Sequence, residues 1–362
     1  MRFFPALFLS VLFFLTGCTN RFQYMAYPPA DSSALTPQQL LAFAYDHYKL
    51  GDEVRALHFV YKAATGDPSD LRPPLLMGLI YDLDFDRPDL AVPEYEKVLP
   101  LRAWSDLPTR LTQRLVHLRR RSEYDRLSDL ARSRQDLPTS SYQLAFLQFE
   151  SVGPRTAPKG MALGLSDLVI HGLKEFSDTL YDDALDLHIL QRAYLENTPE
   201  RVNAEFATWN GANRTFTGTL TDLGMGRLQI TLQVLGPDGR ILHKSPAIRG
   251  HADDLLLLYR HLVNEAAILL DLKLPPAGLH SPISNALAMI IHAQALELCL
   301  DNQTESASLF LTRALESAPA SSLIDRTKNW IDQDLAGRKA KHALVSSYQR
   351  IMEQSLRLAQ SP

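Results

Sequence analysis

The sequence predicts an α+β protein in which helical pairs of repeat-like spacing flank a central α/β domain with a mostly antiparallel five-stranded sheet. Three observations lead there. Residues 37–137 carry small and apolar residues at helical spacing, broken by turn signals such as Gly51-Asp52. Residues 214–222 and 227–235 switch to strict alternation, the period of a strand with one face covered. After Pro275-Pro276 the helical spacing returns. The expected segments are 1–17, 18–36, 37–137, 138–276 and 277–362, a length ample for more than one domain.

The first segment, MRFFPALFLSVLFFLTG, has a basic start at Arg2, an apolar core over Phe3–Leu15 and the small pair Thr16-Gly17. A spanning helix needs about 20 apolar residues, and polar residues resume at Thr19. Apolar side chains on every face also argue against an amphipathic surface helix. The pattern fits a secretory signal. Leu15-Thr16-Gly17-Cys18 further resembles the bacterial lipobox. The resemblance implies recognition of Leu15, Thr16 and Gly17 by signal peptidase II, cleavage before Cys18, and acylation of Cys18 with diacylglycerol and palmitate-type chains. Several acyl chains on one residue hold a membrane far better than one. Thr19 in place of aspartate implies outer-membrane sorting, with the body in the periplasm. Residues 19–36, with Pro-Pro and Ser-Ser and no periodicity, read as a flexible tether.

Composition supports a folded body. Apolar residues make up 46% of the chain, and the net charge of −4 speaks against nucleic acid, which demands a basic face. The second of the two cysteines, Cys299, lies on a helical pattern and reads as a small buried hydrophobe, leaving no disulfide framework.

The helices begin at Thr36, whose hydroxyl is a good cap before Pro37 at the first helical position. In a 34-residue frame from Pro37, Leu40, Phe43, Ala44, Ala56, Val60, Ala63 and Pro68 fall where tetratricopeptide repeats keep their small and bulky residues. A second unit follows with Gly78, Tyr81, Ala91, Tyr95 and Val98, and a degenerate helical pair is expected over 106–136. The chain thus resembles a short tetratricopeptide stack, which implies close antiparallel helices and a surface that grips peptides. A further unit of this kind, framed on Ala295, Leu298, Ala307, Leu311, Ala314 and Pro319, follows the sheet. Two more helices are expected over 321–360.

The central segment reads as strand 142–149, helix 161–176, strand 185–190, a polar helix, strands 214–222, 227–235 and 240–248, and helix 252–271. Threonine and glutamine alternating outward predict one wet face. Gly236-Pro237-Asp238-Gly239 reads as a hairpin turn. LAFLQFES, LGLSDLVIHGLKEF, DLHILQR and TFTGTLTDLGMGRLQITLQVLGPDGRIL resemble the α/β domain shared by the N-terminal part of TolB and by the curli-secretion lipoprotein CsgG. Gly218, Thr219, Gly239 and Ile241 stand at that family's strand and turn positions. The resemblance concerns fold and implies no particular activity.

No residue pattern points to chemistry. The eleven histidines, among them His171, His188, His251 and His261, are scattered without HExxH or HxH spacing, and no CxxC occurs. Asp82, Asp84 and Asp86 have calcium-loop spacing, but Arg87 stands where glycine is required and Pro93 where glutamate is. Arg119, Arg120 and Arg121 form a basic cluster beside His117; a solvated face is the default, and contact with anionic headgroups or an acidic partner the alternative. The expectation is a non-catalytic envelope lipoprotein without catalytic residues, metal or cofactor, membrane-held through Cys18. It would act as a protein-binding scaffold or assembly factor. The alternatives are a component of a CsgG-like export apparatus and a lipoprotein regulator of a cell-wall synthase.

Overall fold

A computed structural model of the chain describes residues 35–100, 106–133, 144–153, 160–174, 192–194, 196–197, 203–209, 212–273 and 281–360. They divide into two units: the residues up to Met77 with those from Met352 onward, and Gly78–Ile351.

In the first unit, helices α1 (Pro37–Lys49) and α2 (Glu53–Gly66) form an antiparallel pair. Thr36 and Gln39 build the capping box: the Gln39 amide donates to the Thr36 hydroxyl at 3.3 Å, and the Thr36 amide to Gln39 Oε1 at 2.9 Å. Asp52 caps α2 through the Arg55 amide. Ala44, Ala56, Val60 and Ala63 are buried where the helices meet. Small side chains there let the two backbones approach.

The division between the units falls within α3 (Arg72–Leu83), and α4 (Pro88–Val98) follows in the second unit. A Cβ at Gly78 would lie 2.6 Å from the Tyr95 ring, so glycine is what admits that buried aromatic. The pair of helices expected over 106–136 is instead one helix, α5 (Leu107–Arg132), because no glycine or proline follows Pro108 to break it.

Among the described residues the sheet has six strands: β1 (Leu144–Phe146), β2 (Glu150–Val152), β3 (Arg214–Asp222), β4 (Arg227–Leu235), β5 (Ile241–Lys244) and β6 (Ile248–His251). It is mixed, which corrects the mostly antiparallel five-stranded sheet predicted from the sequence. β1 and β2 run parallel to β3; β4 is antiparallel to β3, β5 and β6. The first strands precede helix α6 (Met161–Lys174), and a crossover of that length returns the chain parallel. The predicted strand 240–248 divides into β5 and β6 because Pro246 has no N–H for the ladder. There the Ser245 hydroxyl accepts from the Leu232 amide at 2.9 Å and donates to the Pro246 carbonyl at 2.8 Å. The predicted strand 185–190 lies outside the described residues. The hairpin turn forms as expected: the Gly239 amide donates to the Gly236 carbonyl at 2.9 Å, and Gly239 has φ 74°.

Helices α6, α8 (Leu255–Leu269), α9 (Ala286–Leu300) and α10 (Thr304–Ser317) contribute to the apolar core on one sheet face, around Phe146, Phe216, Leu220, Ile230 and Leu232. The opposite face is wet only in part. Thr215 and Thr217 are buried, against the predicted outward alternation. Leu147 belongs to a second cluster with Leu127, Tyr194, Phe206 and Trp209, to which α5 and the short helix α7 (Asn203–Trp209) both contribute. The two helices expected over 321–360 are one, α11 (Ser322–Gln360), running through Gly337 without a turn.

Candidate functional site

Leu15, Thr16, Gly17 and Cys18 lie outside the described residues. Within the unit Gly78–Ile351, the most concentrated chemistry sits where α5 packs on α11.

A buried ion pair anchors this joint. The Arg114 guanidinium donates to both Asp82 oxygens, at 2.9 and 2.6 Å, and to the Gly337 carbonyl at 3.2 Å. Tyr95 donates to Asp82 Oδ2 at 3.2 Å. The charged side chains are only 4% and 1% exposed, so their geometry is tightly determined. A Cβ on Gly337 would stand 2.5 Å from the Gln113 carbonyl oxygen and 2.5 Å from His117 Cβ. Glycine therefore sets how close α5 and α11 come.

One turn further along α5, His117 Nδ1 lies 2.7 Å from Asp334 Oδ1, and Arg338 Nε donates to Asp334 Oδ2 at 2.8 Å. Burial works against the Asp334 charge. The His117 hydrogen bond and the positive charges of Arg338 and Arg120 outweigh it, holding the carboxyl below its usual range. Arg120 lies over the Trp330 ring at 4.1 Å and donates to the Trp330 carbonyl at 2.9 Å.

The arginine cluster is thus not a plain solvated face. Arg119 binds Glu96, Arg120 the α11 backbone and Arg121 both oxygens of Asp86. The acid turn is accounted for as well. Asp82 faces Arg114, and Asp86, at φ 53°, faces Arg121. Adjacent arginines fan out around a helix, and here each reaches a different element.

Beside this joint opens a cavity of about 260 Å³. Leu163, Leu296, Leu300, Trp330 and Tyr124 supply its apolar wall. Arg120, Arg121, Arg192 and Arg338 line it as well. Cys299 is part of the wall too. Burial and the nearby Asp334 push its thiol up to about 12, although Arg338 and Arg192 oppose this, so the sulfur stays protonated and a poor nucleophile at neutral pH. Sequence reasoning singled out Arg119–Arg121 and His117 but missed Asp334 and Arg338. Their i,i+4 spacing on a helix was the available signal.

A second polar group lies between α6, α9 and α11. His292 is fully buried, 3.2 Å from Thr327 Oγ1 and 3.7 Å from Asp167 Oδ2. On α6, burial and then the charge of Arg326 lower the pKa of His171. Among the described residues no group of three histidine, cysteine or acidic side chains is placed to hold a metal ion, and no helix is long and apolar enough to cross a membrane. Compared with known protein families and with curated proteins, the chain matches none.

Proposed function

We propose that the chain is a lipid-anchored scaffold of the bacterial cell envelope. Cys18, made residue one by signal peptidase II, carries the acyl chains, and residues 19–36 tether the body to the outer membrane on its periplasmic side. The body holds a protein partner with tetratricopeptide-like helical pairs, which precede and follow a TolB/CsgG-like α/β module along the chain.

The observation that carries this reading is the recurrence of helical pairs closed by small residues. Ala44 and Ala56 are buried in one pair, Gly78 receives Tyr95 in the next, and Ala295 and Ala307 are buried in a third. Such pairs stacked together present a surface suited to peptides or helices. The run from Arg2 through Leu15-Thr16-Gly17-Cys18 supports the anchor.

Crosslinking in intact cells, followed by pull-down from detergent-solubilised membranes, tests the scaffold. The expected result is one stoichiometric envelope protein whose crosslinks map to residues 37–98 or 286–317. Recovery of the chain alone overturns the reading. Fractionation of a Cys18→Ala variant tests the anchor separately: release from the outer membrane is expected, and continued retention sinks the lipidation claim.

A further inference from the structure

We propose that the cavity beside α5 and α11 is a binding site for a small amphipathic carboxylate, an anion carried on an aliphatic or aromatic body. This does not depend on the scaffold or on the anchor.

Charge and shape both point to that ligand. Four arginines line the cavity, against one lining acid, Asp334. That carboxylate is already engaged by His117 and Arg338. The acids that pair Arg121 and Arg192 are not part of the wall: Asp86 and Glu196 are 62% and 45% exposed, where water screens them. Their hydrogen bonds orient the two arginines, and among the residues that line the cavity the arginines outnumber the acids.

The stack on Trp330 and the bond to its carbonyl hold Arg120 in one place, so little side-chain entropy is lost on binding. Helix α10 also starts at the wall with Thr304, and its N-cap Gln303 makes no side-chain capping bond. The positive end of that helix adds to the same field. A guanidinium fork reads the planar, bidentate geometry of a carboxylate. Leu163, Leu296, Leu300 and Trp330 offer nothing to a hydrated ion but suit a hydrocarbon body. At about 260 Å³ the space is small, which favours a short chain or a single ring over a long-chain lipid.

Equilibrium dialysis provides the readout, with the full chain in lipid nanodiscs, radiolabelled octanoate as the ligand and empty nanodiscs as the blank. Octanoate is expected to bind above the blank. Unlabelled octanamide, the neutral match, and acetate, the anion lacking a body, are expected to leave it bound. Arg120→Met is expected to weaken octanoate binding at least about tenfold, by removing the fork that reads the carboxylate, while the circular dichroism stays that of a folded chain. Leu300→Trp, which fills the space without touching the charges, should weaken it as well. Equal binding of octanoate and octanamide, or no octanoate binding above the blank, overturns the proposal. So does octanoate binding that is unchanged in either folded variant.

Discussion

The sheet core and the α5–α11 joint hold the unit Gly78–Ile351 by opposite means. Around Phe146, Phe216, Ile230 and Leu232 the sheet is closed by apolar contact, which is non-directional and tolerates many side chains of similar size. At the joint, Asp82, Arg114, His117 and Asp334 are buried or nearly so, and each must meet its partner at one geometry. An apolar core loses stability in proportion to what is removed. A buried ion pair fails abruptly when one member goes, because the other is left charged and out of water.

Removing Arg114 is the sharpest way to break that contrast. Arg114→Met strands the Asp82 carboxylate and is expected to cost about 3–5 kcal/mol in urea unfolding. The double variant Asp82→Leu/Arg114→Met should regain most of that loss. A single variant as stable as the parent would show the joint to be no more demanding than the sheet.

In the sheet, Phe216→Ala is expected to cost a comparable amount, about 3–5 kcal/mol. No second substitution should rescue it by removing a partner. The difference between the regions therefore lies in rescue and not in size. Gly337→Ala comes next. Its new Cβ meets the Gln113 carbonyl, so the helices must part, at about 1–3 kcal/mol by thermal unfolding.

Titration offers a gentler probe. The stabilisation from Asp334 is complete above the ordinary aspartate value of about 3.9. It is lost as pH falls through the lower value this carboxyl has in the folded chain. Asp334→Asn should flatten the acid limb of the stability curve in that window, followed by urea unfolding at a series of acid pH values. The smallest effect belongs to Arg119→Ala. Its pair with Glu96 is 57% and 43% exposed, and its loss should stay below about 1 kcal/mol.

Much of the local structure was legible in the sequence. Thr36-Pro37 marks a helix start, Gly51-Asp52 a turn, and Gly236–Gly239 a hairpin, because capping and positive φ are local demands met by a few residue types. Alternation over 214–222 and 227–235 gave both long strands correctly. It failed on the wet face. Thr215 and Thr217 are buried because the second cluster draws Tyr194, Phe206 and Trp209 from separate stretches of chain, and no local pattern announces that cover. Helix number went astray for a related reason. Over 106–136 and 321–360 the sequence spans more than one repeat half, yet neither stretch contains a residue that forces a turn.

By itself the sequence determined where helices and strands start, that small residues close the helical pairs, and that Cys18 follows a lipobox-like pattern. These are questions of backbone preference and short spacing, settled within a few residues. Tertiary structure decided the rest. It made the sheet mixed by the path of the crossover. It spread three adjacent arginines to three different partners. Above all, it brought Cys299, Asp334 and Arg338 to the cavity beside His117, though they lie far along the chain. Charges so distant in sequence meet only when packing encloses them, and burial then decides how strongly each acts on the next.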